Sequence, residues 1–177
     1  MESAQKSTRN VIPFATVGLL IGCLYFATSA PPFLSLVFFL NLWILALYDW
    51  RSFRLPNLLT GSLFFTGLLY LYIDGHWPIE HHILGAFAGL IFFPLLNVIY
   101  KKVRKRDGVG LGDAKLLAGI GLWLSWMALP TVLFIASFSG LLYALVLSVV
   151  GEGIKNTTKL PFGPFLCLGA WGSWLIF

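Results

Sequence analysis

Two aspartates lie where apolar stretches of this chain meet short polar segments. Asp49 ends one apolar stretch and is followed by a turn that holds Arg51 and Arg54. Asp113 begins another stretch, directly after the glycine-rich run 108–112. Ionised carboxylates at the edge of a hydrocarbon span are costly, so such residues are candidates for function. Two that converge can share one proton, activate a water molecule toward a carbonyl carbon and protonate the departing amine.

The segments beside both aspartates restrict or free the backbone. Pro56 drives the preceding residue out of the helical region, so the chain is expected to turn there and re-enter a helix at Asn57. Gly110 and Gly112 can take positive φ and allow close backbone approach. The second aspartate is then expected to cap the N-terminus of the helix that follows.

A third unusual segment, residues 160–165, opens the last apolar stretch. Pro161, Gly163 and Pro164 leave backbone groups without helical partners, which a membrane tolerates only against protein or a wet cavity. One use would be to bind an extended substrate through main-chain hydrogen bonds. The other explanation is a bent helix start with proline in the first turn.

The composition is that of a membrane protein. Of the 177 residues, 58% are hydrophobic and 11% are charged, and the mean hydropathy is +0.85. A soluble domain of this size has too little polar surface to cover so much apolar material. The chain is therefore predicted to be an all-α polytopic transmembrane helix bundle, with residues 1–177 forming one membrane-embedded domain.

Seven apolar stretches are candidate spans, and a count of six is also compatible with the sequence. Each should be helical, because backbone groups in lipid must be hydrogen-bonded within their own segment. A crossing needs about 20 residues. The stretches cover residues 11–29, 33–48, 58–73, 82–99, 114–128, 130–150 and 160–177, after a short cytoplasmic tail at 1–10.

The basic residues orient these spans. With the N-terminus in the cytoplasm and seven alternating spans, all 12 lysines and arginines fall on the cytoplasmic side, as the positive-inside rule requires. Both aspartates fall on that side too. The basic surplus is thus assigned to topology and to attraction toward anionic lipid of the bilayer, and a nucleic-acid partner is not expected.

No metal site is expected. His76, His81 and His82 cluster with Glu80 in a predicted outer loop, away from the aspartates, and are interpreted as ordinary interfacial residues. The chain has no HExxH motif and no Ser/His pair on its predicted inner face, so zinc and serine protease chemistry lack the residues they need.

Small and polar residues inside the apolar stretches have structural explanations. Cys23 and Cys167 form no Cys-x-x-Cys pair and are interpreted as small core residues. Asn41 and Asn97 are expected to hydrogen-bond between helices. The small-residue pattern at 85–89 would let its helix approach a neighbour closely.

Taken together, the unusual segments resemble those of the prepilin peptidases, or type IV leader peptidases, which are aspartyl proteases of the GxGD class. The resemblance covers about residues 35–170. The matching residues are Asp49, then Pro56-Asn57, Gly110-Leu111-Gly112-Asp113 with Lys115, the run 121–126, and Pro161-Phe162-Gly163-Pro164-Phe165. The order and spacing of these segments are far more specific than an isolated GxGD.

The resemblance implies an endopeptidase with Asp49 and Asp113 as its catalytic pair and no metal or organic cofactor. Its substrates would be type IV prepilin-like or pseudopilin precursors of a pilus or type II secretion system, which lose their basic leader at the cytoplasmic face. The location would be a bacterial inner membrane or an archaeal plasma membrane. The residues expected to shape the site are Gly110, Gly112, Lys115, Pro56, Asn57, Pro161, Gly163 and Pro164.

One departure from the family pattern concerns methylation. Many bacterial relatives carry an N-terminal insertion with two Cys-x-x-Cys pairs that is associated with methylating the new N-terminus, and residues 1–177 hold no such pair. Cleavage without methyl transfer is therefore expected. The alternatives are a transporter or an ion- or proton-binding membrane protein that uses intramembrane carboxylates, and a non-catalytic assembly factor.

Overall fold

The structure, a computed structural model, describes residues 31–74, 78–104, 110–149 and 160–177. These residues form five helices and no strand. The prediction of an all-α helix bundle is confirmed. The helices are α1 (Pro32–Ser52), α2 (Asn57–Asp74), α3 (Ile79–Arg104), α4 (Leu111–Val149) and α5 (Gly163–Ile176). The predicted tail at 1–10 and span at 11–29 lie outside the described residues.

Proline and one left-handed residue set several helix ends. Proline stands in the first turn of α1 and of α5, where a missing N–H costs little. The Pro56 carbonyl accepts the N–H groups of Leu59 and Thr60, each at 3.1 Å, and so begins α2. At the end of α1, Phe53 takes φ 53° and ψ 31°, and its N–H donates to the Asp49 carbonyl at 2.8 Å.

Helix α4 consists of two segments that meet at Ser125. This serine has φ 68° and ψ 169°, a backbone region used almost only by glycine. The Trp123 ring stacks on Phe38, near the start of α1, at 4.6 Å, whereas Tyr143 contacts Trp50, near the end of α1, at 5.5 Å. The chain therefore doubles back at Ser125, and segments 111–124 and 126–149 run in opposite directions.

These two segments correspond to the predicted spans 114–128 and 130–150, but the predicted boundary was wrong. It was placed at Pro130, whereas the break lies at Ser125. Pro130 stands only five residues into the second segment, close to the end where N–H groups lack helical partners in any case, so the proline does not end a helix there.

Glycines let the helices approach closely. A Cβ atom added at Gly85 of α3 would meet the carbonyl oxygen of Gly121 in α4, and one at Gly89 would meet the backbone of Leu117. The close approach predicted from the pattern at 85–89 is confirmed. A Cβ atom at Gly169 of α5 would likewise meet the α4 backbone. In a membrane, where lipid is as apolar as leucine, such close contact is a main source of helix association.

An aromatic cluster near the start of α1 and the ends of α2 and α5 joins four helices. Trp123 of α4 is 1% exposed, stacks on Phe38 of α1 and on Tyr70 of α2, and meets Trp174 of α5 edge to face. Its indole N–H donates to the Leu63 carbonyl at 3.0 Å, so the one polar atom of the ring is paired. This cluster holds α1, α2, α4 and α5 in fixed register.

Three described helices are long and apolar enough to cross a membrane, and two shorter apolar helices accompany them. The long ones are Pro32–Ser52, Ile79–Lys102 and Leu111–Val149, the last of which comprises the two oppositely directed segments 111–124 and 126–149. The shorter ones are Asn57–Ile73 and Gly163–Ile176. Large apolar side chains also cover the outside of the bundle, for example Phe65 at 72% and Phe134 at 71% exposure. The chain is a multi-pass membrane protein, while the count of seven spans stays a prediction.

The contact between α3 and α4 can be tested with Gly85→Val. Because the added side chain must push the two backbones apart, we expect it to destabilise the bundle by about 1–3 kcal/mol. The matched control is Gly61→Ala, since no heavy atom lies within 4 Å of a Cβ atom at Gly61. The control should unfold at or slightly above the wild-type denaturant concentration in detergent micelles. Equal stability of the two variants would contradict the close contact.

Candidate active site

Asp49 lies in the last turn of α1 and is buried, with 5% of its surface exposed. Its carboxylate oxygen Oδ2 accepts the main-chain N–H of Gly163, at the start of α5, over 3.1 Å. A carboxylate withdrawn from water needs such a donor, because an unpaired one would cost several kcal/mol. This hydrogen bond joins residues 114 positions apart in the chain.

Asp113 lies in the first turn of α4 and is partly buried. The prediction that it caps the helix was wrong. The helix begins at Leu111, and the Asp113 N–H donates to the Gly110 carbonyl at 3.2 Å, so the aspartate is already inside the first turn. The first-turn position keeps its carboxyl group within reach of the helix dipole.

The structure brings the two carboxyl groups to one end of the bundle. They are near enough for the charge of Asp49 to act on Asp113. The charges of both also reach Cys167, one turn into α5. This end, where α1 ends and α2, α4 and α5 begin, is called the aspartate end below. Cys167 is 5% exposed, as expected for a core residue, but its place beside both carboxyl groups was not predicted.

The segment around Gly163 is shaped to meet Asp49. A Cβ atom on Gly163 would lie 2.6 Å from Asp49 Oδ2, so only glycine can bring its N–H to that oxygen without a shift. Pro161 is buried before it, and Pro164 follows it in the first turn of α5. The bent, proline-containing helix start is therefore present, and its free N–H group is used by Asp49.

The two glycines before Asp113 have different surroundings. A Cβ atom on Gly112 would lie 3.2 Å from Leu55 Cβ, a tight contact between the start of α4 and the connection from α1 to α2. A Cβ atom on Gly110 would meet only the Gly112 nitrogen, at 3.9 Å. Gly112 has no φ in the left-handed region, so the conformational freedom expected of it is not used. Close approach is what Gly112 provides.

Lys115 and Asn57 pair beside the aspartates. The Lys115 ammonium donates to Asn57 Oδ1 at 2.7 Å and so joins the start of α4 to the start of α2. Two residues along a helix turn about 200°, and Lys115 accordingly points away from Asp113, toward α2. This hydrogen bond fixes the contact between α2 and α4, and the role of the two residues in shaping the site stays a prediction. Pro56, just before Asn57, supplies the carbonyl that begins α2.

His81 and His82 lie at the other end of the bundle, and the prediction for His82 was wrong. His82 is 1% exposed, and its Nδ1 lies 2.9 Å from the Leu122 carbonyl, so it is a buried contact between α3 and α4 and no interfacial residue. His81 accepts the Trp126 indole N–H at 3.1 Å.

His76 and Cys23 fall outside the described residues. Within the described ranges, no three His, Cys, Asp or Glu side chains are grouped as metal ligands would be.

Asn41 behaves as predicted. Its side-chain N–H donates to the Val37 carbonyl at 2.9 Å within α1, and its Oδ1 accepts the Ser62 hydroxyl of α2 at 3.0 Å. The hydrogen bond between helices is therefore present for Asn41, which lies about two turns from Asp49 and holds α2 against α1.

A bundle of apolar helices with two converging carboxyl groups at one end defines a membrane protein with a candidate acid–base site. Comparison with known proteins identifies its family. The type IV leader peptidase family model matches residues 36–145. The chain belongs to the type IV leader peptidase family.

Similar curated proteins carry the name prepilin leader peptidase/N-methyltransferase. The one from Aeromonas salmonicida is 33% identical over 147 residues, which cover 81% of this chain and 50% of the relative. Those from Pectobacterium carotovorum and Burkholderia pseudomallei are 35% and 37% identical, and cover 76% and 68% of this chain. The chain spans about half the length of the curated relatives it matches. No solved structure showed a significant match.

The Gly163–Asp49 contact can be tested with Gly163→Ala. The added methyl group must displace the Asp49 carboxylate, and a buried acceptor left without its donor costs about 1–3 kcal/mol. The measurements are denaturant unfolding in detergent and maleimide labelling of Cys167 in a Cys23→Ser background, where we expect lower stability and faster labelling. Gly140→Ala is the control, because its Cβ atom would make an ordinary 3.6 Å contact with the Phe165 ring. If the two variants behave alike, the contact does not hold the site.

Proposed function

We propose that this protein is a membrane aspartyl endopeptidase that removes the leader peptide from type IV prepilin-like or pseudopilin precursors. The observation that carries the proposal is the convergence of Asp49, from the end of α1, and Asp113, from the start of α4, at one end of an apolar bundle. Membership of the type IV leader peptidase family supports the same activity.

In this mechanism Asp49 and Asp113 are the catalytic residues and share one proton. The charged carboxylate takes a proton from water as the water attacks the scissile carbonyl carbon, and the protonated carboxyl donates its proton to the departing amine. Gly163 acts as a positioning residue. Its N–H holds Asp49 Oδ2, which leaves the other oxygen, Oδ1, for the proton shared with Asp113.

The aspartate end is proposed to face the cytoplasm. Arg51 and Arg54, both exposed, follow Asp49 at this end, and Lys115 also lies there. Basic residues of this kind mark the cytoplasmic side of a membrane protein. The proposed location is a bacterial inner membrane, and the N-terminus is proposed to be cytoplasmic.

This orientation explains how a substrate would reach the site. A precursor whose hydrophobic helix is inserted in the same membrane presents the junction between leader and helix at the headgroup level. The aspartates lie at the end of the bundle, which is that level, so neither protein needs to leave the bilayer. The leader is basic, and the acidic side chains of α1 and α4 that can attract it are those of Asp49 and Asp113.

Cleavage is tested by co-expressing a prepilin-like precursor with wild type, Asp49→Asn and Asp113→Asn. Each asparagine removes one proton-transfer group, a loss that lowers rates by about 10²–10⁴-fold. We therefore expect the uncut precursor to accumulate with both variants on immunoblots. The control is Glu80→Gln, since Glu80 begins α3 at the other end of the bundle and its removal should leave cleavage unchanged. Normal processing by either asparagine variant removes that residue from the mechanism.

Methyl transfer is proposed to be absent, because the two cysteines of this sequence, Cys23 and Cys167, form no Cys-x-x-Cys pair. The expected product of cleavage is a mature precursor with an unmodified N-terminus. Mass spectrometry of that N-terminal peptide checks the expectation, in cells where this protein is the only leader peptidase. A peptide that is heavier by one methyl group only when the enzyme is present would refute it.

A further inference from the structure

A groove of about 440 Å³ lies between α2, α3 and the first segment of α4. It is separate from the carboxyl pair, because Lys115 lines it and Lys115 points away from Asp113 on the same helix. Neither the catalytic mechanism nor the aromatic cluster uses this space.

The groove is polar at one end and apolar along the rest. Asn57, Thr60 and Lys115 lie at the aspartate end. The remaining walls are apolar side chains and small residues, and those nearest the opposite end are Leu68, Ile83 and Leu122. The Lys115 ammonium has three donor hydrogens and gives one of them to Asn57 Oδ1, so it keeps donors and a full positive charge for an anion.

The length of the groove corresponds to one leaflet of a bilayer. From Asn57 to Leu68 helix α2 advances by about 16 Å, at 1.5 Å per residue. The hydrocarbon core of a bilayer is about 30 Å thick, so one leaflet contributes about 15 Å. The groove therefore has its cation at the headgroup level, and along α2 it extends about as far as one leaflet.

This length and charge select among possible occupants. A precursor helix would cross both leaflets, and its basic leader would meet the positive charge of Lys115, which is repulsive. A phospholipid occupies one leaflet, carries its phosphate at the headgroup level and places an acyl chain below it. Each methylene buried in an apolar groove contributes about 0.8 kcal/mol.

We propose that this groove binds one anionic phospholipid. Its phosphate accepts a hydrogen bond from the Lys115 ammonium, and an acyl chain lies along Phe64, Leu68 and Phe87. These three side chains are 39%, 45% and 59% exposed, so lipid reaches the groove from the side without any opening of the bundle. Basic pockets between helices at the cytoplasmic side of membranes bind anionic headgroups in this manner.

Two substitutions separate the headgroup from the acyl chain. Lys115→Gln removes the charge and keeps a hydrogen-bond donor. Gly61→Phe places a ring in the groove, because Gly61 lines it and a Cβ atom there has no heavy atom within 4 Å. The matched control is Lys102→Gln, since Lys102 is an exposed cation on α3 that does not line the groove.

The experiment is native mass spectrometry of the full chain released from nanodiscs that contain equal amounts of phosphatidylglycerol and phosphatidylcholine. Wild type and Lys102→Gln should each retain one phosphatidylglycerol. In Lys115→Gln the ratio of retained phosphatidylglycerol to phosphatidylcholine should fall about fivefold, as expected for the loss of one basic residue. Gly61→Phe should lose bound lipid of both kinds.

Three results would overturn the proposal: no preference for phosphatidylglycerol in wild type, the same loss in Lys102→Gln as in Lys115→Gln, or displacement of the retained lipid by an added precursor. Since lipid retention is measured without any cleavage assay, the outcome does not depend on the proposed peptidase activity. If Gly61→Phe does not yield folded protein, the comparison of Lys115→Gln with Lys102→Gln decides alone.

Discussion

A buried carboxylate at the end of an apolar helix needs a hydrogen-bond donor, and much of this structure serves that need. Asp49 receives the Gly163 N–H, which a side chain at position 163 would block. The donor is free because Gly163 begins a helix, where the first N–H groups have no helical partner. The start of α5 must therefore stand beside the end of α1, and the two helices run antiparallel: Trp174 of α5 donates to Ser35 of α1 at the opposite end.

Glycine also permits close backbone contact where helices pack against each other. Glycines of α3 lie against the backbone of the first α4 segment, and Gly169 of α5 lies against the backbone of the second. The aromatic cluster around Trp123 fixes the register of the first segment against α1 and α2. The start of α4, and with it Asp113, is further held by the contact of Gly112 with Leu55 and by the hydrogen bond from Lys115 to Asn57.

Composition and the apolar stretches were enough to predict the helices, and motif spacing was enough to predict which aspartates meet. The details that failed depend on contacts between distant residues. Nothing near Gly163 in sequence shows that its N–H faces residue 49, and the burial of His82 follows from the α3–α4 contact. The break at Ser125 was missed because serine seldom adopts that backbone conformation, while Pro130, the usual signal, stands where it does no harm.

Two of the helical segments that begin at the aspartate end are short. Segment 111–124 and helix α5 each have 14 residues and span about 21 Å, roughly 9 Å less than the hydrocarbon core of a bilayer. A bilayer meets such mismatch by thinning around the protein. The membrane surface should therefore be lower beside Asp49 and Asp113, so that bulk water reaches a depth that elsewhere belongs to the hydrocarbon core. Hydration of the carboxyl groups would then be a property of the surrounding lipid as much as of the protein.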